Sequence, residues 1–420
     1  MIQNTFNHSD PDFFKLQALV WAEQFESFIL LNPNDISYPE NTFEKVLAVG
    51  NQTRSDSFDI QNLSHSLFNN PNWHFGYFSF DLKNSLEELQ TNHQDYFKFP
   101  ELHFFTPSIL IFFLPNGISI LSEENPTLVF DIISRLEIPE IIPSKPVQLV
   151  PCISKENYIT QVETIRNHIL AGDIYEMNYC IDFYAENTFI DPLSSYLKLN
   201  HISPMPFSTY ARLDGKYILC ASPERFIKKS GNRIISQPIK GTIKRGKNVE
   251  EDLKLQQLLT QSEKERSENI MIVDLVRNDL SRTAMAGSVK VKELCRLYSF
   301  ASVHQLISTV ESIVSPEFTG LEVICNAFPM GSMTGAPKIN ALKLTEKYEH
   351  FRRGIYSGSI GHFTPDGDFD FNVVIRSIIY DPTIGRISCP VGSAITYYCD
   401  PEQEYQECLL KIETMRKALQ

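Results

Sequence analysis

Two pairs of glutamates stand one helical turn apart, Glu265 and Glu268 in KERSEN and Glu404 and Glu407 in EYQECLLK. Lys411 follows Glu407 by four residues, so Glu404, Glu407 and Lys411 share one helical face. One ExxE pair alone is usually a solvated helix face. Two such pairs on facing helices would offer hard oxygens to Mg2+, which keeps several waters and takes its other ligands from a few carboxylates and an anionic substrate. A further segment, GSMTGAPK at 331–338, has two glycines, a Thr334 able to cap and a Pro337 suited to the first turn of a helix running to about Glu349. Exposed amides at such a helix start favour an anion. The Gly-Lys step of a nucleotide-binding P-loop is missing, which excludes that reading.

These side chains need elements to hold them. The second glutamate pair belongs to a closing helix over about 401–419, the first to one long helix over 250–280. Ser154 caps a helix that keeps Tyr158, Val162, Ile165 and Ile169 on one face, and Gly172 stops it in a left-handed cap. An antiparallel run follows at 217–221, 225–229 and 233–236, and a second meander covers 359–363, 369–380 and 386–391. Upstream, 73–78 and 108–114 read as aromatic strands, the latter paired with 118–121 across Pro115-Asn116-Gly117. The stretch 138–151, with four prolines, reads as a linker or edge crossing between an N-terminal region, 1–145, and a catalytic region, 150–420. The expected class is α+β, antiparallel sheets covered by helices.

Composition narrows the function. A chain of 420 residues with 42% hydrophobic content has ample apolar material for a large core. A formal charge of −13 excludes a nucleic-acid partner, which would demand clustered Lys and Arg. The longest apolar run, 109–115, is too short to span a bilayer, and MIQNTFNHSDPDFF has no signal-peptide pattern. Eight cysteines without a CxxC pair suggest reduced, buried thiols and a cytoplasmic location.

The ordered series GDIYEMNY (172–179), SPERF (222–226), PIKGT (238–242), ENIMIVDLVRNDL (268–280), SVHQL (302–306), GSMTGAPK (331–338), RRGIYSGSIG (352–361), VVIRS (373–377) and EYQE (404–407) resembles the chorismate-utilising enzymes. That family includes anthranilate synthase component I, aminodeoxychorismate synthase component I, isochorismate synthases and salicylate synthases. The resemblance implies an anthranilate synthase component I-like fold, two packed antiparallel β-sheets flanked by helices. It also implies chorismate as substrate and Mg2+ as cofactor. Glu268 and Glu407 would ligate the metal directly, with Glu265 and Glu404 behind them through water. His304 matches the active-site histidine. Tyr356, Arg376 and Lys411 match positions that hold the substrate carboxylates, an Arg bidentately and a Lys as a point charge. Thr242 and Gly392 fall in matching substrate-binding segments, although Gly392-Ser393-Ala394-Ile395 has one glycine fewer than the family's usual GAGI or GGGI. Glu224 matches the acid that protonates the departing 4-hydroxyl, a role that requires burial or a nearby carboxylate to raise its pKa.

Lys240 marks the branch. PIKGT resembles the aminodeoxychorismate-forming enzymes, where the lysine amine is proposed to add at ring carbon 2, whereas anthranilate synthases carry PIAGT. An amine tethered beside an electrophilic carbon gains from proximity once it is neutral, and a nearby cation would help to make it so. Glu176 stands where the water-using branch carries its basic lysine, which argues against isochorismate formation. The ammonia-using enzymes usually have Gln there. No cysteine lies in a Gly-rich elbow and the chain stops at Gln420 after the closing helix, which leaves a separate glutaminase subunit or free ammonia as the source; the resemblance implies a glutamine amidotransferase partner.

Overall fold

The computed structural model describes residues 1–50, 63, 64, 67, 71–139, 146–301 and 303–420. Residues 140–145 of the expected linker and Ser302 of SVHQL lie outside the described residues.

Strand alternation builds the layers. In Phe28–Asn32, Ile29 and Leu31 enter one apolar core while Phe28 and Leu30 enter another. A strand buried on both sides needs a partner layer on each. The described strands form two antiparallel sheets, one of 12 strands and one of nine. The first core lies between them, joining Ile29, Ile218 and Ile379 of the larger sheet to Phe75, Ile227 and Phe371 of the smaller. The second lies between the larger sheet and helices, with Tyr158 and Val162 of Lys155–Ala171 and Ile412 and Met415 of Pro401–Ala418. The α+β class and the two packed sheets are as the sequence implied.

Several local readings hold. The Ser154 side chain accepts from Asn157 N at 3.2 Å, and Gly172 adopts φ 83. Ile109–Leu114 pairs with Gly117–Ser122 across the expected turn. Strands from both regions share the sheets: Phe28–Asn32 pairs with Phe207–Leu213, and His74–Phe78 with Ser359–Phe363. All eight cysteines are unpaired, and seven are buried. No helix among the described residues is long and apolar enough to cross a membrane.

Other expectations need correction. The helix expected over 250–280 is two, Val249–Gln261 and Glu263–Ser281. Ser262 breaks it with an extended backbone, φ −65 and ψ 111, while its side chain accepts from Glu265 N. Ser262 three residues ahead of Glu265 is a helix-start signal inside the wholly polar stretch 260–269, across which no apolar face continues.

Neither meander stays in one sheet. Lys216–Ser222 lies in the larger sheet and Arg225–Ser230 in the smaller. The expected strand 369–380 likewise splits into Phe369–Asn372 in the smaller sheet and Ser377–Asp381 in the larger. Pro223 offers no ladder donor at the first crossing, and Arg376 turns the chain at φ 51 at the second. The crossings are tied together. Ser222 Oγ donates to Val373 O at 2.6 Å, Val373 N to Glu224 O at 3.0 Å and Ala221 N to Arg376 O at 3.1 Å.

Candidate active site

The two acidic helices start with fixed caps. Asp400 accepts from Gln403 N ahead of Pro401–Ala418, and Ser262 opens Glu263–Ser281. Asn269 then anchors the second helix to the smaller sheet, donating to Lys240 O at 3.3 Å and Leu306 O at 3.2 Å. Glu404 is buried and accepts from Lys264 Nζ at 3.1 Å. Lys411 Nζ lies 2.7 Å from Glu407 Oε1 and donates to Gly392 O at 2.6 Å. Charge is felt across the gap between the helices. Burial first, and then Glu407 on the other helix, raise the pKa of Glu265. Burial pushes Glu268 up to about 7, Lys240 pulling the other way, and Glu268 Oε1 is buried with no partner among the described residues.

Lys240 sits on the strand Ile239–Lys244, whose pairing with Val303–Ile313 slips between Ile239 and Thr242. Gly241 occupies the slip at φ 88, and a Cβ there would lie 3.2 Å from Glu265 Cβ and Oε2. Such a bulge re-aims a neighbouring side chain. Lys240 Nζ meets Glu176 Oε1 at 2.8 Å, with the lysine side chain 11% exposed. Burial disfavours its ammonium, but Glu176, Glu268 and Glu224 outweigh burial and hold the amine above its ordinary pKa. These carboxylates favour the charged form of the lysine.

Glu224 stands on the first crossing and accepts from Ser332 Oγ at 2.6 Å. Burial raises its carboxyl to about 7, against the lowering pull of Ser332 and Lys240. Arg376, on the other crossing, has no hydrogen bond or ion pair from its guanidinium among the described residues, and burial lowers its pKa. A half-buried guanidinium without a carboxylate suits an incoming anion. Tyr356 is buried near Cys180 and Arg353, burial raising its phenol well above the ordinary value. Thr242 Oγ1 accepts from Gln305 Nε2 at 3.3 Å. Gly392 needs to be glycine: a Cβ would lie 2.6 Å from Cys180 Sγ. Gly392→Val is expected to cost about 1–3 kcal/mol through overpacking. An unchanged thermal melt would refute this packing account.

His304 is fully buried with both ring nitrogens taken, Nε2 by Asp252 Oδ1 at 2.9 Å and Nδ1 by Ser299 Oγ at 2.8 Å. Asp252 also accepts from Arg245 Nε and Nη2, each at 2.9 Å. The histidine thus belongs to a side-chain relay rather than presenting a free nitrogen. Thr334 does not cap the following helix as expected. Its hydroxyl turns back to Met330 O and Gly331 O at 3.2 Å, because Gly335–Ala336 is drawn into a strand against Glu176 and Met177. The helix begins only at Lys338, after Pro337. Lys338 is buried on Asp279 Oδ2 at 2.8 Å.

The carboxylates suit a hard divalent cation in kind, and the orphaned Glu268 Oε1 lacks a partner that such an ion would supply. Among the described residues no three His, Cys, Asp or Glu side chains converge as a ready-made cage. Lys264 and Lys411 neutralise Glu404 and Glu407 in place.

Sequence reasoning missed the buried hub of Arg353. Its guanidinium binds both Glu349 oxygens at 2.5 and 2.8 Å and donates to Asn178 O at 2.9 Å and Met333 O at 2.8 Å. Glu349 four residues ahead of Arg353 is a spacing signal that could have found the pair, whereas the carbonyls of Asn178 and Met333 that complete the hub are non-local. Asp252 was missed because it lies 52 residues from His304.

The profile of the family described as chorismate binding enzyme matches residues 17–417. An aminodeoxychorismate synthase, chloroplastic, of Arabidopsis thaliana is 39% identical over 273 residues, 64% of this chain and 30% of that protein. An aminodeoxychorismate synthase component 1 of Escherichia coli (strain K12) is 37% identical over 64% of this chain and 58% of its own length. An anthranilate synthase component 1 of Thermus thermophilus is 32% identical over 82% of this chain and 77% of that protein. The chain thus spans under a third of the plant relative's length. Anthranilate synthase component I from Streptococcus pneumoniae superposes with a TM-score of 0.77 at 25% identity, covering 91% of this chain and 93% of that one. MenF, a menaquinone-specific isochorismate synthase from Escherichia coli, gives 0.78 at 17% identity over 100% and 94%, a likeness of fold alone. With the matched profile spanning nearly its whole length, this chain belongs to the chorismate binding enzyme family.

Proposed function

We propose that this chain aminates chorismate to 4-amino-4-deoxychorismate, the precursor of 4-aminobenzoate for folate, as a transferase of the aminodeoxychorismate synthase component I type. The observation that carries this is the Lys240 amine, held 2.8 Å from Glu176 and under the field of Glu224 and Glu268. In this reading Lys240 adds at ring carbon 2, Glu224 gives its proton to the departing 4-hydroxyl, and ammonia then takes carbon 4 and releases the lysine. Glutamine amidotransferase is the proposed source of ammonia, and the unpaired cysteines suit a reducing, cytoplasmic setting. Mg2+, held by Glu265, Glu268, Glu404 and Glu407, would neutralise the ring carboxylate when bound. Arg376, Lys411 and Tyr356 orient the substrate's carboxylates, Thr242 and Gly392 line it, and His304 buttresses the strand beside Thr242.

The test is product identity. Incubation with chorismate, Mg2+, ammonium and a lyase that releases 4-aminobenzoate is expected to give 4-aminobenzoate. Anthranilate fluorescence would instead assign the chain to the anthranilate-forming branch, the reading that the Thermus thermophilus relative favours.

A pH expectation follows from Glu224. A general acid works only while protonated, so kcat is expected to fall as pH rises through about 7. Ser332 lowers the Glu224 pKa, so Ser332→Ala should move this alkaline limb to higher pH. A limb that stays put, or moves down, would show that Glu224 does not set it.

A further inference from the structure

A protonated amine is no nucleophile, and the charges around Lys240 favour its protonated form. Burial opposes the ammonium, while Glu176, Glu268 and Glu224 favour it, and Glu265 and Glu407 also sense its charge. The attack therefore needs an acceptor within hydrogen-bond reach that stays clear of the forming bond. Glu176 Oε1 is that near, at 2.8 Å from Nζ. Its other oxygen, Oε2, is buried with no partner among the described residues, on a residue 1% exposed. An ion pair kept only for stability gains nothing from an orphaned acceptor, which destabilises a buried site. The backbone beneath is pinned. Glu176 pairs with Ala336, and a Cβ on Gly335 would lie 2.2 Å from Glu176 O.

We propose that Glu176 is the proton acceptor that turns Lys240 into a nucleophile, an inference that rests on the Lys240-adduct reading above. One proton passes from Nζ to the Glu176 carboxylate, and the neutral amine bonds to ring carbon 2. The diene shifts, the C4–O bond breaks and the hydroxyl leaves as water with the proton of Glu224. The product is a secondary ammonium at Lys240 and a Glu224 carboxylate. When ammonia bonds to carbon 4, it gives up a proton to Glu224 and the bond from carbon 2 to Nζ breaks. The released neutral amine then takes its proton back from Glu176, restoring the starting charges. A carboxylate, rather than the family's usual Gln, is what this proton exchange needs.

The experiment omits ammonium, so that the adduct accumulates. Wild-type chain, chorismate and Mg2+ are mixed, quenched at intervals and weighed by intact-protein mass spectrometry, with Lys240 located by peptide mapping. Wild type is expected to gain the mass of chorismate less one water. Glu176→Gln keeps size and hydrogen bonding but loses the acceptor, so adduct formation at pH 7 should fall about 10²-fold or more. The ratio of its rate to the wild-type rate should rise about tenfold per pH unit while the amine remains mostly protonated; taking the ratio cancels the limb due to Glu224. Glu176→Asp, which keeps the charge, should follow the wild-type profile at a reduced rate. Equal rates for Glu176→Gln and wild type, or a ratio that does not change with pH, would overturn this inference and leave the adduct reading intact. A wild type that makes the amino product but never carries a Lys240 adduct would overturn both.

Discussion

Lys240→Ala is expected to lower formation of 4-amino-4-deoxychorismate by a factor of about 10³ or more. In the proposed reaction the lost step is an intramolecular attack, whose proximity advantage is of that size or larger. Removing the ammonium also leaves Glu176, Glu224 and Glu268 without their shared counter-charge. Steady-state assay of 4-aminobenzoate in the coupled reaction measures the loss, and mass spectrometry reads the products. Any residual turnover should shift toward anthranilate, because the smaller side chain leaves room for ammonia beside carbon 2. Retention of even a tenth of wild-type amination would sink the covalent role of Lys240.

Arg353→Met is expected to cost about 3–5 kcal/mol of folding stability, the penalty for breaking a buried ion pair from one side. Arg353 and Glu349 are each 1% exposed at the side chain. Glu349 also accepts from Cys180 N at 2.9 Å, so its carboxylate has no route to water once the guanidinium is gone. The loss should be visible in chemical denaturation as a lower midpoint with unchanged slope. Restoring the pair with lysine should recover only part, since a point charge cannot reproduce the fork that reaches Asn178 O and Met333 O. A loss below about 1 kcal/mol would mean that the hub is dispensable.

Short-range signals carried much of this molecule. Ser154, Gly172 and the Pro115-Asn116-Gly117 turn act through neighbours a few residues away, and each sits where its chemistry required. The acidic pairs were legible for the same reason, one helical turn being a local distance. Ser262 carries a local start signal too, but the polar stretch 260–269 has no apolar face on which a break would show. What one chain cannot display is which strand joins which sheet. Residues 217–236 and 359–391 alternate well as strands, yet nothing in that alternation marks the step from one layer to the other. Asp252 on His304 and the Asn178 carbonyl on Arg353 come from distant stretches, so a motif finds these residues without revealing what occupies their polar atoms.

The paired crossings have a mechanical consequence. Glu224 and Arg376 ride on two adjacent strides between the layers, stitched by Ser222, Val373 and Ala221. Any slippage of one β-layer over its neighbour must carry the proposed proton donor and the proposed anion clamp along as one body. Damage seeded far off, in the apolar seam between the layers, should accordingly dull grip and chemistry in step, without trading one for the other.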